Sequence, residues 1–163
     1  MQKTVQTTYA EFNSVEELDK NDQLLVAKAK EAADLAYAPY SDFYVGSSIE
    51  LENGVVVTGN NQENVAYPSG LCAERVAIFA AGAHYPKTPI KTVVVTAKSK
   101  SFEVHEPISP CGACRQVLAE YEVRYGKNIR VIMTGEIGKV RIINSISALL
   151  PLMFNSDGLR KRN

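Results

Sequence analysis

The segment Lys91 to Thr96 is apolar at consecutive positions, with Val93-Val94-Val95 at its centre. Successive side chains of a strand point to opposite sides of a sheet, so a strand of this kind must be covered on both faces. The flanking sequence supplies the cover. Cys72 to Ala83 has the composition of a helix (AERVAIFAAGA after the cysteine), ended by Gly82 and then by Pro86 and Pro89. Ser109 to Tyr125 opens on Ser-Pro, carries Val117, Leu118 and Tyr121 on one helical face and closes at Gly126.

Further upstream, Asp22 to Tyr37 sets Leu24, Leu25, Ala27, Ala29, Ala32, Ala33, Leu35 and Ala36 in a loose helical stripe, with Asn21 as its cap and Pro39 beyond its end. Phe43 to Leu51 and Val55 to Gly59 flank Glu52-Asn53-Gly54, and Asn-Gly supplies the positive φ angles of a tight hairpin. Strands follow at Ile129 to Met133 and Lys139 to Ile143, then a short helix from Ser145 to Leu150 stopped by Pro151. The order αββαβαββα predicts an α/β domain with a mixed sheet, antiparallel in its first and last pairs and parallel at the middle crossovers. No repeat or linker divides the chain, so residues 1–163 read as a single domain. Residues 1–20 alternate only weakly and read as an extension, and the tail from Leu159 to Asn163 as a solvated basic terminus.

Eighteen Lys and Arg balance eighteen Asp and Glu, so the formal charge is zero and nothing favours a nucleic-acid or anionic-membrane partner. No stretch approaches the roughly twenty apolar residues of a membrane span, and the first residues contain no apolar leader. A cytoplasmic protein is the expectation. There a closed disulfide framework is excluded by an odd cysteine count: Cys72, Cys111 and Cys114.

Cys111 and Cys114 are three residues apart in a first helical turn and can point at one ion, while free amides and the positive helix end favour their thiolates. Zinc suits them, and Cys72 from the start of a second helix gives a third ligand. Three ligands and one open position is the catalytic arrangement, whereas structural sites are closed by four. On cysteine counting alone a closed site remains open as a reading, with His105 as fourth ligand; His84 and His105 otherwise read as loop or surface residues. Glu74, two residues past Cys72, falls where a proton shuttle would work on water at the open position. A Cys-x-Glu followed by Pro-Cys-x-x-Cys is the signature of zinc nucleobase deaminases.

From these motifs the sequence resembles cytidine deaminase of the small homotetrameric type with three cysteine ligands. The resemblance runs from about Tyr37 to Leu159, through YAPYSDFYVGSSI, GNNQENVAYPSGLCAERVAIFAA, SPCGACRQVLAE and LLPLMF. It implies a three-layer α/β/α domain with a five-stranded mixed sheet, its motif-bearing core at about 21–159. It also implies one zinc per chain on Cys72, Cys111 and Cys114, Glu74 as acid and base, and the Ala73 backbone against the pyrimidine. Asn61 and Glu63 fall on the family's N-x-E-N segment, which holds the sugar hydroxyls, and Phe43 on the aromatic beside the nucleoside. Arg75 would offset the excess charge of three thiolates. Phe154 would stack on the pyrimidine in a neighbouring subunit's site. The reaction implied is hydrolytic release of ammonia from cytidine or deoxycytidine, giving uridine or deoxyuridine, in pyrimidine salvage. Two positions depart from the pattern: Asn60 stands where Cys is common and Tyr44 where Pro is common.

Each residue also has a plainer reading. Arg75 could be a helix-surface charge, Asn61 and Glu63 loop caps, and Phe43 and Phe154 core aromatics. Other functions are deamination of a cytosine-containing antibiotic of the blasticidin type, whose enzymes share CAE and PCxxC, polynucleotide editing, and a non-catalytic zinc-stabilised module. The first lacks N-x-E-N and the Arg after CAE, zero net charge opposes the second, and an intact Glu74 opposes the third.

Overall fold

In the computed structural model of the chain, which describes residues 1–155, Val93 and Val95 face one hydrophobic cluster and Val94 the other. The elements are β1 (Ala10–Phe12), α1 (Lys20–Asp34), β2 (Phe43–Leu51), β3 (Val56–Asn60), α2 (Ala73–His84), β4 (Ile90–Ser99), α3 (Gly112–Tyr125), β5 (Arg130–Thr134) and β6 (Val140–Ile143), with a 3-10 helix at Ile146–Leu149. Leu25, Val26 and Ala29 of α1 cover one face of the sheet against Val94, Ile132, Val140 and Ile142. Ala77 and Ile78 of α2 and Leu118 of α3 cover the other against Ile49, Val93, Val95 and Val131. The expected three layers are present.

The sheet has six strands in the order β1-β6-β5-β4-β2-β3, not five. The additional strand is β1, antiparallel to β6 with Glu11 opposite Arg141, so residues 1–20 include one strand of the sheet. Three residues are too few to display an alternation, and their partners lie at the far end of the chain. Glu11 bonds Lys139 at 2.6 Å and Arg141 at 2.8 Å, and Phe12 packs against the α1-side cluster. The pairing closes the β6 edge, which would otherwise present unpaired amides and carbonyls.

The hairpin β2–β3 and the pair β5–β6 are antiparallel, as expected. Of the middle crossovers only one makes parallel neighbours, β4 with β5; the crossover from β3 passes over β2, and β4 inserts antiparallel on the far side of β2. Helix α1 begins two residues before the expected start, because Asp19 rather than Asn21 caps it by accepting the Asp22 N–H at 2.9 Å. It ends at Asp34, short of the expected Tyr37, whose N–H instead bonds the Asn61 carbonyl at 3.0 Å. The basic tail from Leu159 lies outside the described residues.

Two close approaches set the helices against the sheet. A Cβ on Gly46 would lie 1.9 Å from the Ala29 carbonyl oxygen of α1, and one on Gly59 would lie 2.5 Å from the Ala77 nitrogen of α2. Both positions therefore require glycine. The second brings the start of α2 down onto β3. Helix α3 is held at both ends: Arg115 donates to the carbonyls of Pro110 at 2.7 Å and Leu149 at 2.8 Å. The buried Glu122 carboxylate accepts N–H bonds from Ile129 at 2.7 Å and Ile146 at 2.9 Å.

Candidate active site

Cys72 is the N-cap residue of α2 and Cys111 that of α3, so two positive helix ends meet at the sulfurs. Cys72 Sγ lies 3.8 Å from Cys111 Sγ, Cys111 Sγ lies 3.4 Å from Cys114 Sγ, and all three fall within 4.8 Å of one another. Tetrahedral coordination with zinc–sulfur bonds of about 2.3 Å puts sulfurs about 3.8 Å apart. The three cysteines fit such an ion, and among the described residues they form the one such cluster of potential ligands. His105 is not part of it; its ring lies 3.5 Å from the Glu103 carboxylate. His84 is occupied by the Ala80 carbonyl at 2.9 Å. A site closed by a histidine as fourth ligand is not assembled.

The sulfurs share their protons unequally. A hydrogen bond from Cys114, strengthened by Arg75 and Cys111 against the cost of burial, brings the Cys72 thiol down to about 5. The same Cys72–Cys114 pairing, with burial, pushes the Cys114 thiol up. Arg75 directs one guanidinium nitrogen to the Gly70 carbonyl at 3.4 Å and to Cys72 Sγ at 3.7 Å. Glu74 is 4% exposed, and burial is the main cause of its raised pKa, with the Cys72 charge adding to it. The geometry joins a buried carboxyl to a sulfur cluster.

Both open on one cleft of about 580 Å³, whose lining includes Cys72, Cys111, Glu74, Arg75, Phe43 and Glu63. Asn61 also lines it, yet its side chain is engaged by β2: its Nδ2 donates to the Phe43 carbonyl at 3.0 Å and its Oδ1 accepts the Val45 N–H at 2.8 Å. The Glu63 carboxylate accepts the Tyr40 N–H at 2.8 Å, the Ser41 N–H at 3.3 Å and the Ser41 hydroxyl. Burial opposes its charge, but these three donors outweigh it and hold the pKa below the ordinary carboxyl value. Ala73 is fully buried as the first residue of α2, a position whose N–H has no intrahelical acceptor.

Phe154 stands apart. It is 72% exposed, it is absent from the lining of its own chain's cleft, and its carbonyl accepts from Gln116 at 2.9 Å. Tyr40, Ser41 and Tyr67 are among the cleft residues that the sequence did not single out, with the Tyr40 and Tyr67 rings edge to face at 6.0 Å. The first two lie inside the YAPYSDF motif and Tyr67 inside GNNQENVAYPSGL, where nothing in residue type marks them as cleft-lining.

Residues 19–127 match the family model described as the cytidine and deoxycytidylate deaminase zinc-binding region. A cytidine deaminase of Sporosarcina psychrophila is 37% identical over 135 residues, covering 83% of this chain and 92% of its own. One from Halalkalibacterium halodurans is 35% identical over 137 residues, with 84% and 96% covered. The crystal structure of cytidine deaminase from Burkholderia pseudomallei superposes with a TM-score of 0.71 at 38% identity, covering 84% of this chain and all (100%) of that one. Sequence motifs, layer order and cleft chemistry thus agree: the chain belongs to the cytidine and deoxycytidylate deaminase zinc-binding family.

Proposed function

We propose that this protein is a zinc-dependent cytidine deaminase, converting cytidine and deoxycytidine to uridine and deoxyuridine with release of ammonia. The observation that carries the reading is the buried Glu74 carboxyl, raised in pKa, beside three sulfurs spaced for one zinc ion at one cleft. Cys72, Cys111 and Cys114 would hold the ion. Bound zinc supplies the Lewis acidity that makes water nucleophilic near neutral pH. Glu74 would take one proton of the attacking water and pass it to N3 of the cytosine ring, then take the second from the hydroxyl formed at C4 and deliver it to the amine, which leaves as ammonia as the C4 carbonyl forms. Burial raises its pKa, which favours the acid form that donates to the leaving amine.

The remaining residues bind and orient. Ala73 offers its backbone to the pyrimidine, Phe43 flanks the nucleoside, and Glu63 with Asn61 takes the sugar hydroxyls. Arg75 offsets the negative charge that three thiolates leave around one divalent ion. Phe154, exposed and outside its own cleft, would complete the pocket of a neighbouring chain in a homotetramer. The enzyme would act in the cytoplasm, as a single domain, in pyrimidine salvage; no helix among the described residues is long and apolar enough to cross a membrane.

Incubation of the purified protein with cytidine, deoxycytidine and blasticidin S, followed by loss of the cytosine absorbance, tests the reading. Turnover of both nucleosides well above that of the antibiotic is expected. Turnover of blasticidin S alone, or none from zinc-loaded protein, would overturn it.

A further inference from the structure

Asp42 is one of two non-glycine residues among those described with a left-handed backbone, at φ +53°. A side chain disfavours that conformation, and such strain persists only where the surroundings hold it. Asp42 sits between Ser41 and Phe43, both of which line the cleft. Contacts from two directions fix it. Its N–H donates to the Ala38 carbonyl at 3.1 Å, and its own carbonyl accepts the Lys100 N–H at 3.3 Å. Its carboxylate accepts the Tyr44 hydroxyl at 3.0 Å and lies 3.6 Å from Lys100 Nζ, which also sits 5.1 Å above the Tyr44 ring.

The bend at Asp42 sets its two neighbours. Ser41 Oγ donates to Glu63 and accepts the Phe43 N–H at 3.1 Å. The Phe43 ring stacks on Phe102, with centroids 6.4 Å apart and planes 29° apart. Phe102 is 60% exposed and belongs to neither core cluster, so its apolar ring has no packing role in the interior. It follows Lys100 on the segment between β4 and α3, whose Ile108 and Ser109 also line the cleft.

We propose that Asp42, Tyr44, Lys100 and Phe102 form a clamp that positions the cleft lip Ser41–Phe43 and thereby sets how tightly the nucleoside is held. The proposal rests on the deaminase reading and adds positioning residues to it. Tyr44, which departs from the family's pattern, has here a hydroxyl that pins the strained residue. A lip already ordered does not have to be ordered by the substrate, so the clamp acts on binding and leaves the proton transfers at Glu74 untouched.

Three variants test it: Phe102→Ala removes the stacked ring, Phe102→Tyr keeps it, and Tyr44→Phe deletes the hydroxyl alone. Phe102→Ala should raise KM for cytidine roughly threefold to tenfold with kcat within about twofold of wild type. Phe102→Tyr should restore KM, and Tyr44→Phe should raise it in the same direction. Amide exchange at Phe43 and Tyr44, measured without substrate, should quicken in Phe102→Ala and Tyr44→Phe. Unchanged KM and exchange in Phe102→Ala would overturn the clamp, as would a loss of kcat together with Tm, or failure of Phe102→Tyr to restore KM. If the wild-type protein turns over no nucleoside, the deaminase reading fails, and exchange at Phe43 still decides whether the lip is clamped.

Discussion

A guanidinium nitrogen of Arg75 lies 3.7 Å from Cys72 Sγ, one helical turn away, while the Arg75 Nε is buried without a partner. The cation and the thiolate stabilise each other, and the guanidinium is one reason the Cys72 pKa falls to about 5. A zinc ligand must be deprotonated, so metal affinity follows the thiol pKa. In Arg75→Ala the Cys72 pKa rises, and the thiol recaptures its proton at a higher pH as the solution is acidified. Zinc content measured after equilibration at stepwise lower pH should therefore collapse at higher pH in the variant than in wild type. Release at the same or a lower pH would remove Arg75 from the charge balance of the site.

Glu74→Gln keeps the shape of a buried side chain and removes its proton chemistry. Turnover should fall on the order of 10²–10⁴-fold with zinc content unchanged; near-normal turnover would end the acid and base assignment. The same variant reads the electrostatics of the site. Burial raises the folded-state pKa of Glu74 above the ordinary 4.5, so its contribution to stability is complete below that value and is lost as pH rises through the folded pKa. Gln loses nothing over that interval. Thermal melts of the metal-free proteins should coincide in acid, with the variant gaining over wild type as pH rises above about 4.5.

Burial opposes the charge of Glu63, but the Ser41 hydroxyl and two N–H donors outweigh it and favour the charged form. Glu63→Gln deletes that charge and turns an amide toward donors that need an acceptor. Loss of a hydrogen bond to a charged group costs about 1.5–3 kcal/mol, so kcat/KM for cytidine should fall roughly 10-fold to 150-fold. A cytosine derivative without the sugar separates the two readings. Its turnover should be little altered if Glu63 binds hydroxyls, whereas equal losses for both substrates would reduce Glu63 to a cap on the 40–41 loop.

What could be read from the sequence was what local pattern encodes. Val93 to Val95 announces a strand covered on both sides, Asn53-Gly54 announces a hairpin, and Cys72, Glu74, Cys111 and Cys114 fall at two helix starts where both spacing and helix polarity bear on their chemistry. Strand β1 was not legible, because three residues owe their conformation to Val140, Arg141 and Ile142 across the length of the chain. The antiparallel placement of β4 beside β2 depends on which sheet edge a crossover reaches, and no periodicity records that choice. The Phe43–Phe102 stacking has the same origin: β2 and β4 bring the two residues together through their register, Phe43 opposite Ser99.

Phe154 carries the strongest claim about assembly. Its ring is 72% exposed and lines no part of the cleft in its own chain, while its backbone is tied to α3 through Gln116, two residues beyond Cys114. A pyrimidine stacked on an aromatic ring gains about 1–3 kcal/mol by analogy with bases stacked on protein aromatics, so Phe154→Ala should weaken substrate use and spare zinc content. Complementation identifies whose pocket the ring serves. Chains with Phe154→Ala retain Glu74, and chains with Glu74→Ala retain Phe154, so mixed assemblies contain some clefts in which both groups are present. With co-assembly verified by differential tags, activity should exceed that of either parent. Only the average of the two parents would mean that Phe154 acts within its own chain or in packing alone, and the shared cleft would then be abandoned.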